Sequence, residues 1–400
     1  MSATTHAASG RLFWRLLLLA LLHFAAIAAM LLSARWIVFL GGSKNELGWF
    51  SAGILPGLVL GAPLAGRLAD RIAEKYLILV GVSLVASSML ALAHGSSISY
   101  WLLLWRCIQG FGHGMVFACI FGLAAHAIPE GKKAQGIGYI ALAIQLGNLC
   151  GVSFAEWLLL RAGFPAMYLG AMLLCGLAFA CALTLPATSS RSSSRKDIAA
   201  AHHVVPAKLQ VVLAVSFFFI LGGSYGTVLQ LMPLLVQDVA LKTGSSAIVT
   251  PVMAAIFITV ALCRLVLARL ADGRHQRLVL IGFMLIMTLA TLGWPLAASM
   301  TQLVLVAIAF ALGYGLLFPG LNGLILSHVA PEWRSRASGW VVMAFDGGFF
   351  GLLLLLGPVA EHSGYLVAFA LLALLQLLTG LIFLGMAKSV ANKFRPDPSG

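Results

Sequence analysis

Arg67-Leu68-Ala69-Asp70 recurs as Arg269-Leu270-Ala271-Asp272, 202 residues later in a chain of 400. A second echo at the same offset sets Ala125-His126-Ala127-Ile128-Pro129-Glu130 against Ser327-His328-Val329-Ala330-Pro331-Glu332. Two echoes at one spacing identify the second half as a repeat of the first. The chain is also strongly apolar, with 61% hydrophobic and 9% charged residues, where globular domains carry about 25% charge. No soluble fold hides that much apolar surface, so the repeat reads as a duplicated bundle of membrane spans around a central site.

A bilayer core of roughly 30 Å needs about 20 apolar residues per helix. Charged and Pro/Gly-marked breaks divide the chain into twelve such runs, at 13–39, 47–66, 77–95, 101–127, 136–157, 166–185, 209–236, 247–267, 278–297, 303–327, 339–358 and 365–386. Barrel strands would alternate apolar and polar positions, and stretches such as Leu16 to Leu22 or Leu352 to Leu356 do not. The fold class is therefore an all-α membrane protein, with twelve transmembrane helices in two pseudo-symmetric six-helix bundles at 1–187 and 208–400. A serine-rich cytoplasmic linker at 188–207 joins them, and its His202-His203 pair reads as solvated chain rather than a metal site.

Lys and Arg number 25 against 12 Asp and Glu. Clustered on a soluble domain, that excess would point to nucleic acid, but here it is scattered between apolar runs and reads as topology, with no nucleic-acid partner. Assigning successive breaks alternately to two sides puts nineteen cations on one side and only Lys44, Arg161 and Lys242 on the other, with Arg35, Arg106 and Arg264 left inside spans. The cation-rich side is cytoplasmic, so both termini are expected there, in a multi-pass protein of the inner (plasma) membrane. The apolar run from Leu12 past Met30 has no short apolar core followed by a small-residue cleavage site, so it is expected to stay as the first span. All six cysteines fall inside spans without Cys-x-x-Cys spacing, which indicates neither a disulfide framework nor a zinc site. No metal or other cofactor is expected.

Gly66-Arg67-Leu68-Ala69-Asp70-Arg71-Ile72-Ala73-Glu74-Lys75, between spans two and three, resembles the signature loop of the major facilitator superfamily, Gly-x-Leu-Ala-Asp-Arg-x-Gly-Arg-Lys. Gly66, Leu68, Ala69, Asp70, Arg71 and Lys75 match, while Ala73 and Glu74 depart. The second copy keeps Leu270-Ala271-Asp272 and ends on Arg277, but Gly273 replaces the cation after Asp272. Physically, Gly66 permits a tight turn, Asp70 can face the positive end of a helix dipole in the other half, and Arg71 and Lys75 can reach carbonyls or carboxylates. The resemblance implies a conformational latch in which Asp70 meets the start of span eleven and favours an outward-open state. The plainer reading is that these charges only set topology.

Arg106-Cys107-Ile108-Gln109-Gly110 in span four is similar to the family's Arg-x-x-Gln-Gly motif. A guanidinium inside a span is a functional candidate by default. At about 100° per residue, Arg106, His113 and Phe117 share a stripe with Gln109 to its side. The stripe either faces a cavity or holds a structural Arg106, satisfied by carbonyls or by Glu156. In span five, Gly138, Gly147 and Gly151 resemble the packing motif that the family associates with antiporters, without its following Pro. Such residues allow close helix approach and limit leakage between the halves.

The resemblance implies a central site lined by spans one, four, seven and ten. Candidates are His23, Arg106, Gln109, His113, Gln230, Tyr314 and Asn322, with ordinary interhelical hydrogen bonding as the alternative for Tyr314 and Asn322. Proton coupling requires a titratable group held inside a span. Asp346 is the acidic residue deepest in a span, Glu156 is second, and His23 and His113 also qualify. Asp346 can alternatively be a permanent partner of an arginine such as Arg264. Three interior arginines, Arg35, Arg106 and Arg264, against Asp346 and Glu156 favour an anionic or zwitterionic solute. Arg35, off the His23 stripe, reads as snorkelling outward.

Together these features give a secondary active transporter that works as a monomer, moving a small organic solute by alternating access as proton-coupled efflux, an antiport. A proton-coupled importer of an organic anion or metabolite is the alternative, and a non-transporting membrane sensor a minor one. An intramembrane enzyme would need a nucleophile or metal ligands converging at one depth, and His126 and His328 read instead as structural residues at helix ends, so no enzymatic activity is expected.

Overall fold

A computed structural model describes the backbone of residues 3–128, 133–187, 208–267, 276–327 and 334–393. Helices follow in the order α1 (Ala3–Ala28), α2 (Ser33–Phe39), α3 (Lys44–Ala52), α4 (Leu55–Leu68), α5 (Glu74–Ala93), α6 (Tyr100–Ala127), α7 (Lys133–Leu183), α8 (Lys208–Thr243), α9 (Thr250–Leu262), α10 (Gln276–Gly293), α11 (Met300–Ser327), α12 (Arg334–His362) and α13 (Gly364–Lys393). No strand occurs among the described residues.

Ten helical segments among the described residues are long and apolar enough to cross a membrane. One of them, Gln135–Leu183, has 49 residues, far more than the roughly 20 a single crossing takes. It is two helices meeting at Gly163, whose φ of 78° is comfortable only without a Cβ. Thr250–Val266 is a shorter apolar helix. Dividing α7 at Gly163 and including Thr250–Val266 restores the order of the twelve expected spans, although Thr250–Val266 alone falls short of full crossing length.

The duplication seen in the sequence is also built into the turns. Four glycines among the described residues have positive φ, Gly41 (83°), Gly163 (78°), Gly244 (66°) and Gly364 (83°), and each marks a helix boundary at the same end of the bundle. Gly41 corresponds to Gly244 and Gly163 to Gly364, at nearly the interval of the sequence echo. Packing repeats in the same way, with α1 against α7 and α8 against α12. Gly147 and Gly151 bring α7 onto the carbonyls of Leu21 and Ala25, while Gly222, Gly226 and Gly348 do the same for α8 and α12 at Phe345, Phe349 and Phe219. Gly138 faces open space. The glycine stripe of span five therefore closes a contact inside the N-terminal half rather than the seam between halves, because the small face of α7 turns toward α1.

At the end of the bundle opposite the Asp70 loop the two halves meet, α3 on α12, α7 on α9 and α2 on α8. The Lys44 backbone N–H donates to the Glu361 carboxylate at 2.9 Å, Lys44 Nζ to the Ala360 carbonyl at 3.3 Å, and Ser51 Oγ to the Phe350 carbonyl at 3.1 Å. The Asp70 loop itself departs from expectation in one respect. Gly66 is helical, in the last turn of α4 with open space beside it, so the reversal at 69–73 does not depend on it. Backbone N–H groups of Arg71 and Ile72 close that reversal on the Leu68 carbonyl. Lys75 Nζ donates to the Leu183 carbonyl at 2.6 Å, which ties the loop to the C-terminal end of α7. Asp70 is exposed. Asp272 and the linker at 188–207 lie outside the described residues, as do the side chains of Arg277 on α10 and Asn322 on α11.

Candidate functional site

The interior candidates separate into a matched pair of ring stacks, one in each half. His23 of α1 is fully buried, and its ring lies parallel to that of His113 of α6, with centroids 5.2 Å apart and an interplanar angle of 13°. Nε2 of His23 and Nδ1 of His113 are 3.0 Å apart, so one ring donates and the other accepts. Phe24 and Phe117 pack edge-on or tilted around the pair, and Nδ1 of His23 has no hydrogen-bond partner.

In the C-terminal half, Tyr225 of α8 stacks on Tyr314 of α11, with centroids 4.0 Å apart and planes within 4°. Repeat-equivalent helices supply both stacks: α1 corresponds to α8 and α6 to α11, and His23 precedes Tyr225 by 202 residues. Phe349 packs against Tyr225, and Phe345 against Tyr314 and Phe318. The buried Tyr225 hydroxyl and the Gln145 amide of α7 face each other across the division between halves.

Two opposite charges flank the tyrosine stack. Arg264 sits on a π-helical turn, Cys263–Leu267, that continues α9, and its guanidinium lies 6.0 Å from the Phe318 ring. π-Helical turns are rare and concentrate at functional sites. Asp346 of α12 lies within the bundle and is partly accessible. Both charges act on the Tyr314 hydroxyl. Among the described residues, neither forms an ion pair. The expected alternative, a permanent Arg264–Asp346 lock, is therefore not what the structure holds.

Other candidates lie elsewhere. Arg106 is buried within the N-terminal half, where Nε donates to the Phe50 carbonyl at 3.1 Å, NH1 bonds Gln109 Oε1, and the guanidinium covers the Phe50 ring at 4.8 Å. Gln109 Nε2 is turned to Met89 Sδ at 3.9 Å. Gln230 Nε2 donates to the carbonyls of Gly226 and Phe349, both at 3.0 Å, which spends it on α8–α12 packing.

Glu156 pairs with Arg35 rather than with Arg106, at 3.3 Å. Its carboxylate also receives the backbone N–H groups of Val249 and Thr250, each at 2.7 Å. The N-cap residue Val249 makes no side-chain cap bond, and a carboxylate of the N-terminal half satisfies the orphan donors there and meets the positive end of the helix dipole. Arg35 does not snorkel: it crosses the same seam to the carbonyls of Pro233 and Ala247. Removing one partner of such a buried pair costs about 3–5 kcal/mol.

Arg35, Tyr225 and Gln145 are the residues whose roles the sequence reading missed. Adding the repeat interval to His23 gives Tyr225, and subtracting it from Asp346 lands beside Gln145, so the duplication carried a usable signal for two of the three.

Comparison with known proteins agrees with this architecture. The family model described as Major Facilitator Superfamily matches residues 16–352. The "Quinolone resistance protein NorA" of Staphylococcus aureus (strain MRSA252) is 33% identical over 114 residues, a stretch covering 28% of this chain and 29% of that protein. The chain thus matches under a third of the length of that curated relative. Among solved structures, the nucleoside transporter NupG superposes with a TM-score of 0.75 at 17% identity, covering 94% of this chain and 99% of that one. A bacterial homologue of the human lysosomal transporter Spinster, described as inward-facing and unoccupied, gives 0.72 at 14% identity with 100% of both chains covered. These structural likenesses establish the shared fold.

Proposed function

This chain belongs to the Major Facilitator Superfamily, and from that premise we propose that it exchanges a small organic solute, anionic or zwitterionic, for protons across the inner membrane by alternating access. As a multi-pass secondary transporter of this fold, it works by rocking one six-helix half against the other. The observation that carries the mechanism is the Glu156 seam. A carboxylate from one half caps α9 of the other, and Arg35 spans the same gap, so the contact closing this end is polar and short. Such a contact breaks as a unit when the halves part, unlike a continuous apolar interface. The structure is read as closed at this end, with the Asp70 loop as the latch of the opposite end.

Export is the direction favoured, since a partial relative is named for quinolone resistance. Asp346 is the coupling group, being a partly accessible carboxylate inside a span that forms no ion pair among the described residues. Arg264 supports the charge class of the solute, since Arg35 and Arg106 are engaged by protein groups. The test is flux in proteoliposomes under an imposed pH gradient, using a panel of anionic, zwitterionic and cationic aromatic solutes. Gradient-driven accumulation of an anion or zwitterion is expected. Retained ligand binding with no flux for any member would overturn transport in favour of a sensor.

A further inference from the structure

Five features converge on one face of the C-terminal half. Arg264 and Asp346 are groups of opposite charge type in the membrane interior, and among the described residues neither forms an ion pair, while Arg264 reaches the neutral Tyr314 hydroxyl. Unpaired charges at this depth are costly, and their usual resolution is a partner, water or a ligand. Arg264 is aimed by a π-helical turn rather than a regular helical one. Phe318, Phe345 and Phe349 are each partly accessible, and together with Tyr225 and Tyr314 they form a continuous aromatic wall. Finally, the Tyr225 hydroxyl and the Gln145 amide are buried, with 6% and 7% exposure, and face each other between the halves.

A purely anionic solute would satisfy Arg264 and leave Asp346 repelling it. A cation would do the reverse. We propose that this face is a subsite for a small aromatic zwitterion, its carboxylate on Arg264, its ammonium on Asp346, its ring on Phe318 and Phe345, with Tyr225 and Gln145 supplying a neutral polar contact. The inference deepens the transporter reading and rests on it only for the claim that the bound species is moved. Tyr225 and Tyr314 are already stacked at 4.0 Å, so the ring lies beside their stack and not between them.

The test measures equilibrium binding to the purified full-length protein in detergent, without a gradient. Two zwitterions are used, phenylalanine with adjacent charges and 4-(aminomethyl)benzoate with charges across the ring. Each is compared with its analogues lacking the carboxylate (phenethylamine, benzylamine) or the amine (3-phenylpropionate, 4-methylbenzoate). At least one zwitterion is expected to bind about ten-fold or more tightly than both of its analogues, the scale of a charged hydrogen bond. Arg264→Gln should then erase the advantage over the amine, with the amine's own affinity kept or raised by the loss of repulsion. Asp346→Asn should erase the advantage over the acid, with the acid's own affinity kept or raised by the loss of repulsion. The retained affinities show that each variant is folded.

Equal binding of zwitterion, cation and anion, or selectivity untouched by both substitutions, overturns the subsite, as does no binding of either zwitterion. The predicted pattern without flux in proteoliposomes would instead overturn transport and leave the subsite standing. Flux without the pattern would do the opposite.

Discussion

The carboxylate of Glu156 accepts the backbone N–H of Thr250 at 2.7 Å, so a side chain of the N-terminal half caps a helix of the C-terminal half. Its other oxygen takes Val249, at the same distance. Glu156→Gln keeps the volume but leaves one acceptor oxygen where there were two, and removes the charge facing Arg35. The end of the bundle that this seam closes should then open more often. Ser51 lies in the same seam, so a membrane-impermeant maleimide should label Ser51→Cys faster in the Glu156→Gln background, with the native cysteines replaced in both. A rise of about ten-fold corresponds to losing one charged hydrogen bond. Equal labelling rates would show that the cap does not hold the seam.

Asp70 stands exposed where α4 ends, in a loop that Lys75 anchors to Leu183. Asp70→Asn removes the charge without a change of volume, so folding should survive and most transport should be lost. Monodispersity and thermal midpoint report the first, and proteoliposome flux the second. Wild-type flux in this variant would refute the latch.

For Asp346, the titratable group it acts on is Tyr314, which Arg264 reaches as well, and none among the described residues holds Asp346 in an ion pair. A carboxylate so placed is free to trade its proton during the cycle. Asp346→Asn cannot, so flux through this variant should lose its dependence on the pH gradient while the residual downhill flux continues. An unchanged pH profile would remove Asp346 from coupling.

Most of the architecture was legible because its causes are local or periodic. Apolar run length marks a span, the 202-residue echo marks the duplication, and breaks fall where glycine or proline ends a helix. What was hidden depends on geometry between distant segments. Glu156 is 121 residues from Arg35, and nothing in the composition of either span distinguishes this pairing from one with Arg106. Gly66 matches a loop motif, yet in the fold it is an ordinary helical residue, because the chain turns only after Leu68. The ring stacks were half visible: His23, His113 and Tyr314 stood among the interior candidates, but Tyr225 did not, since histidine and tyrosine share planarity rather than identity.

Small residues in span five give the sharpest contrast between a motif and the contact it makes. Gly151 places its α-carbon where a Cβ would run into the Ala25 carbonyl of α1, whereas a Cβ on Gly138 would meet nothing within 4 Å. Gly151→Ala must therefore push α1 and α7 apart, a cost of about 1–3 kcal/mol for overpacking. Gly138→Ala should gain about 1 kcal/mol at most from helix propensity. Thermal unfolding of the purified protein in one detergent should show a lower midpoint for Gly151→Ala and an unchanged or raised midpoint for Gly138→Ala. Because α1 carries His23 and α7 carries Gln145, the same displacement should also weaken solute binding in Gly151→Ala. Equal midpoints for the two variants would mean that the α1–α7 contact relaxes freely and that glycine spacing in this span is not a packing requirement.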